Sequence, residues 1–315
     1  MRTLPGRPVR LIVALSAVTG LLLTGCSTQP SRTGAAAIVG DHAVISLDDV
    51  QTRLDAIYER EPDLRSQLIE QGQIDDVSRS IVTLSVRHRL ISEFAEQEGI
   101  SVDEREVDAM IEQSGGAQAA VMGTPFTEES LRSDVTDQLL LSQVGDEYLG
   151  RVRVVFDFVQ ATSREQAVEL AEQLAAEPDR VAEIIEESSA AGLPGGMQQP
   201  LTPAESPALA ATALFGTAEG NVVAFETQPQ SGQWMVAVIH EREILENADP
   251  AAAGQVDPSM SAQFGLRMLG AASQDAQIEV NPRYGVWDPT TVQVAPSEGE
   301  AGGLIFPVAG SAPRD

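Results

Sequence analysis

The chain has 315 residues and a mass of 33.4 kDa, with 47 acidic side chains against 20 basic ones, all Arg, for a formal charge of −27. An acidic surface repels phosphate backbones, so nucleic acid is not an expected partner, and without Lys there is no P-loop, Schiff-base or lysine-base chemistry. One Cys and three His leave no thiolate zinc cage and few options for a histidine site, so no metal or other cofactor is expected.

Arg2, Arg7 and Arg10 precede an uncharged apolar run over residues 11–23. At thirteen residues that run is short of the ~20 a membrane-spanning helix needs, and it has the layout of an export signal. It closes on Leu23-Thr24-Gly25-Cys26, which resembles the lipobox of bacterial lipoproteins. The resemblance implies a diacylglyceryl (palmitate-bearing) thioether on Cys26, cleavage just before it, and a protein tethered to the outer face of the cell membrane. The alternative is an ordinary secretory signal with a chance Cys. Cutting residues 1–25 removes three Arg and no acid, taking −27 to −30. Residues 26–37, small and polar, read as a flexible tether.

From Ala36 to Ile45 two short extended pieces flank a Gly40-Asp41 turn. Ser46 and Asp49 form a capping box, followed by Leu47, Val50, Leu54 and Ile57 at helical spacing. Further helices are predicted over 62–71, 75–98, after a second capping box at Ser101 and Glu104, and over 127–144, with Gly99 as a helix stop. After Gly150 the period changes from 3.6 to 2: Val152, Val154, Phe156 and Phe158 alternate as in a half-buried strand. Ser163 and Asp179 start two helices, a Gly/Pro loop covers 190–200, and strands at 222–225 and 234–240 flank a hairpin turn. A last helix is predicted over 259–273, with Met260, Phe264, Met268 and Leu269 on one side.

The expected fold class is therefore α+β. A mostly helical module (38–150) is interrupted by an inserted α+β domain (151–245), joined by a linker (246–257) to a returning helix and strand (258–290). Pro, Gly, Ser and Ala dominate from Ala295, and residues 291–315 read as a disordered tail.

This layout resembles the SurA-type and PrsA-type extracytoplasmic foldases, whose helical module is also similar to the trigger-factor chaperone domain. The likeness rests on the hairpin entering a helix at 36–50, on the long helix, Glu98-Gly99-Ile100-Ser101-Val102-Asp103-Glu104 and next helix at 81–107, and on the strand-helix-helix-loop-helix-strand-strand order of 152–240. It implies a chaperone module made from both ends of the chain, with a parvulin-like prolyl-isomerase domain looped out of it.

Active parvulins place two His and an Asp or Cys at their site. Here Phe156 falls on the first His, with a one-residue uncertainty that brings Asp157 there. Met197, after Gly195-Gly196, replaces the acid or thiol, Trp234 replaces the second His, and Leu214 joins the same lining. No catalytic residue is expected at these degenerate positions. The bland alternative is that the aromatics are simply sheet core. His88, without a second ligand at i+4, reads as a solvated or packing residue.

The expected function is a membrane-anchored holdase for unfolded or newly exported polypeptides. Such a holdase would grip clients in an apolar cradle between helices 46–150 and 259–273, without nucleotide and with little or no isomerase activity. The alternatives are an active parvulin-type isomerase and a non-enzymatic envelope adaptor.

Overall fold

Three alanines, small enough to be covered on both sides, begin the central strand of a small sheet. β1 (Ala35–Val39) pairs antiparallel with β2 (Ala43–Ser46) through an Ala37↔Ile45 register. The computed structural model describes residues 34–41, 43–228, 231–246, 258–274 and 276–310. The export signal, the lipobox with Cys26, most of the tether and most of the 246–257 linker therefore lie outside the described residues. The tether reading does not extend to 37, because Ala35, Ala36 and Ala37 are buried in β1.

Ser46 accepts the Asp49 N–H at 3.0 Å and starts α1 (Leu47–Arg60). α2 (Leu64–Gln71) and α3 (Ile74–Glu98) stop at Gly72 and Gly99, whose φ of 71° and 69° is open to glycine at little cost. α4 (Glu104–Gln113) is capped by Asp103, which accepts the Arg105 N–H at 2.9 Å; the Ser101–Glu104 box does not form. A short α5 (Ala117–Val121), not predicted, follows the Gly115-Gly116 break. α6 is Leu131–Tyr148, later than predicted, because Thr127 and Ser130 bond each other's N–H at 3.0 and 3.1 Å in the turn before it.

The chain then leaves for a second sheet. β3 (Val152–Ala161), α7 (Arg164–Ala176), α8 (Val181–Ala190), β4 (Gly195–Leu201), α9 (Pro207–Ala210), β5 (Asn221–Glu226) and β6 (Trp234–Ile244) follow in order. Ser163 caps α7 as predicted, but α8 has no side-chain cap from Asp179. The predicted 190–200 loop is a correction: residues 195–201 add to β3 as an edge strand, where Pro200 sits without a ladder donor to lose.

α10 (Pro258–Ala272) returns along α6. A Cβ at Gly145 would run into the Ser261 backbone, and one at Gly265 into the Leu141 carbonyl, so the two helix backbones touch. The Ser261 hydroxyl donates to Asp146 across this seam at 2.5 Å. β7 (Ile278–Val280) pairs with β1 through Ala37↔Val280, completing the order β2-β1-β7. Asn281 then donates through its backbone N–H and its Nδ2 to the Ala36 and Ala35 carbonyls at 2.9 and 3.0 Å. The module is thus closed by residues from opposite ends of the chain.

The expected disordered tail is a further correction. β8 (Val286–Asp288) and β9 (Gln293–Ala295) form a two-stranded ribbon, and β10 (Gly303–Pro307) adds to β5. The inserted sheet is therefore five-stranded, antiparallel, in the order β10-β5-β6-β3-β4. One buried cluster runs without interruption from Val144 and Tyr148 of α6 and Phe264 and Met268 of α10 into Val154, Phe156, Met235 and Ala237 of that sheet. Each such fully buried large side chain contributes about 1.5–3 kcal/mol, so the joint between the two parts is part of the core.

Candidate functional site

Strand alternation sends the side chains of β3 to two faces. Val154, Phe156 and Phe158 point toward the α6–α10 side, while Val159 and Ala161 join Ala167, Ala171 and Leu174 of α7 on the other. The Phe156 and Phe158 rings lie 5.9 Å apart. Leu214 is fully buried in the same cluster as Phe156, beside Phe215, whose ring meets Phe264 of α10 edge-on at 6.0 Å. Those two predicted positions therefore come together, and α10 fills the space around them.

The other three do not join them. Trp234 packs with Val236 and Val238 on the α7 face, its ring under the Arg164 guanidinium at 5.8 Å. The residues beside Phe158 and Phe156 on β6 are instead Ala237 and Ile239. Met197 sits 40% exposed on the edge strand β4. A single five-residue lining of Phe156, Asp157, Met197, Leu214 and Trp234 does not form, since the sheet itself separates its members.

Asp157 has a different setting. Between Val155↔Glu241 and Phe156↔Ile239, β6 carries one residue too many, His240; between Phe156↔Gln199 and Phe158↔Gly196, β4 does the same at Met197 and Gln198. Gln198 takes a left-handed φ of 49° within this bulge. The two bulges aim donors at one carboxylate: His240 Nε2 lies 2.9 Å from Asp157 Oδ2, and the Gln198 N–H donates to Oδ1 at 2.6 Å. Burial pushes the Asp157 carboxyl up, but the bonds from His240 and Gln198 outweigh it and hold it below the usual range. The hydrogen bond to Asp157 raises His240 against its own burial, with Glu241 adding to the effect. The pair can store a proton, but it lines none of the three grooves described next. Residue spacing alone does not reveal this contact, because the bulge inserts His240 where the ladder pairs no residue.

His88 also has a partner. Its Nδ1 lies 2.8 Å from Asp137 of α6, which raises the imidazole, again against burial. Next to it Arg53 of α1 pairs with Asp134 at 2.6 Å, so α1, α3 and α6 are tied by a polar seam.

The expected cradle between helices 46–150 and 259–273 is absent at α6–α10, where the backbones touch. Open space lies elsewhere. A groove of about 690 Å³ runs beside Arg53, Glu59 and Arg60 of α1 and Thr127–Ser130. Another of about 460 Å³ follows one stripe of α3, and a third of about 610 Å³ lies between β7 and β8 under Trp287. Among the described residues no three metal-ligating side chains cluster, and no helix is long and apolar enough to cross a membrane.

No protein-family model matches the chain, and no curated protein matches it. Among solved structures it is similar to foldase protein PrsA from Lactococcus lactis, at 12% identity and a TM-score of 0.29, covering 78% of this chain and 94% of that one. PrsA from Streptococcus pneumoniae is similar at 12% identity and a TM-score of 0.26, covering 71% and 92%. Likeness at this level is too slight to carry a function across.

Proposed function

We propose that the chain is a lipid-anchored extracytoplasmic chaperone that holds unfolded exported polypeptides, with little or no prolyl-isomerase activity from its five-stranded domain. The observation that carries this reading is the discontinuous module. β1 and α6 from the N-terminal part are completed by β7 and α10 from the C-terminal part, with a sheet domain between them in sequence. That arrangement is what the SurA/PrsA resemblance implies. The weak-isomerase clause is supported by Phe156 and Leu214, which lie in core where a polar, open site would be needed. Anchoring rests on Leu23, Thr24, Gly25 and Cys26 alone. The excess of acid would keep a client-loaded complex soluble beside anionic lipid.

A second reading, an envelope adaptor with one folded partner, is favoured by the sparse apolar surface. Among the described residues the exposed large apolar side chains, Ile69, Met122, Met197 and Ile244, stand on separate parts of the chain. Light scattering of several unrelated unfolded proteins separates the two. The chaperone suppresses aggregation of all of them at near-stoichiometric amounts; an adaptor suppresses none and captures a single folded partner.

A further inference from the structure

Asp76, Arg79, Thr83, Leu84 and Arg87 lie on one stripe of α3 and line the 460 Å³ groove, together with Phe126 and Val294. Arg87 is partly buried, and its acceptors are all neutral. Its Nε donates to the Val292 carbonyl at 2.6 Å and its Nη2 to that of Thr291 at 3.3 Å. Its Nη1 bonds to no described residue, and no described carboxylate forms an ion pair with it. Arg267 of α10 shares the Thr291 carbonyl and also donates to Thr290; its Nε–H is buried without an acceptor. Asp288, the acid whose charge reaches Arg267, is already taken up by Thr290, Thr291 and the Gly302 N–H. Burial, joined for Arg87 by the repulsion of Arg267, pulls both guanidinium groups down to about 10. A buried cation without a counter-charge is costly, and a bound anion relieves the cost.

We propose that this groove binds the C-terminal carboxylate of an extended apolar polypeptide, with the carboxylate on Arg87 and the adjoining side chains over Leu84, Phe126 and Val294. Charge selects the anion: two Arg face one Asp, which Arg79 already holds, in a chain that is otherwise strongly negative. A space of this volume is in the range of small-ligand sites and takes a few residues, as a chain end with its carboxylate on Arg87 supplies. This names the part of a client that the chaperone reading would engage, and it rests on that reading for the source of the peptide.

The test uses the full chain in detergent and three fluorescein-labelled peptides: Gly-Ala-Leu-Ala-Leu-Phe with a free carboxylate, its C-terminal amide, and the same amide with Glu in place of the second Ala. In low-salt anisotropy titrations the free acid binds about tenfold tighter than either amide, the scale of one charge-assisted hydrogen bond. Arg87→Met brings the three within about twofold of one another. Because Arg87 also tethers the 291–292 backbone, Leu84→Glu serves as a second variant: its carboxylate, one turn away, supplies the missing counter-charge while the tether stays. That variant folds with an unchanged circular-dichroism spectrum and loses the preference. Equal binding of all three peptides, tight binding of the internal-Glu amide, or a folded L84E protein that keeps the preference would each overturn the proposal. If the preference holds but aggregation is not suppressed, the site stands and the chaperone reading falls. If aggregation is suppressed without any preference, the reverse is true.

Discussion

Asp157 and His240 meet at 2.9 Å because β6 has one residue more than the ladder needs, which brings His240 against a buried carboxylate on β3. The same pairing of a half-exposed imidazole with a mostly buried acid recurs between His88 and Asp137, where it ties α3 to α6.

These two pairs set a pH dependence of stability. Both imidazoles are raised in the folded state, so their contribution is complete below the unfolded value of about 6.5 and fades as pH climbs through the higher folded values. Asp157 is depressed, so its share is present above about 3.9 and is lost as pH falls. Arg89 near His88 opposes the trend and Asp134 supports it; Glu241 supports it at His240. The urea midpoint is therefore expected to fall between pH 6 and pH 8, and to fall less in a His88→Ala/His240→Ala double variant. A wild-type midpoint that rises over this interval would show that the imidazoles are not held by their acids. At pH 6, Asp157→Ala alone costs about 1–3 kcal/mol, since the Gln198 N–H and His240 lose their acceptor.

The α6–α10 seam gives a steric prediction. Adding a methyl at Gly145 or Gly265 drives it into backbone of the facing helix, which cannot yield as a side chain would. Gly265→Ala is expected to cost about 1–3 kcal/mol or more by overpacking, measured by denaturant unfolding. A neutral result would mean that the helices are not in backbone contact.

β10 covers the outer edge of β5, with Leu304 opposite Ala224 and Phe306 opposite Val222. Truncation after Ala301 would leave that edge with unpaired N–H and C=O groups, a template for another strand. Sedimentation velocity should show the shortened protein self-associating at concentrations where the full chain stays monodisperse. Identical sedimentation of the two would mean that the edge needs no cover.

The helical part was readable in the sequence because its signals are local. Ser46 with Asp49 and the Gly99 stop each act within one turn, and both were found where the spacing placed them. β4 escaped because Gly-Gly-Met-Gln-Gln-Pro-Leu has no alternation; it is a strand only because β3 offers it a ladder. β10 escaped for a related reason: five residues, Gly303–Pro307, stand in a composition otherwise typical of disorder, and the β5 edge decides their conformation. Of the positions expected to line one site, Phe156 and Leu214 share a buried cluster, whereas the register puts Trp234 on the opposite face of the sheet. The Asp157–His240 contact depends on two bulges, which no count of residues along a strand reveals.

The measurement that bears most directly on a chaperone with a silent isomerase domain is the refolding of a client whose slow phase is a proline isomerisation of tens of seconds. One trace reads both properties, because yield reports holding and the slow rate reports catalysis. In the presence of equimolar full chain, the recovered yield at aggregating concentration should rise while the slow rate stays at its uncatalysed value. An unchanged yield, or a slow phase that accelerates with the concentration of this protein, would contradict the proposed function.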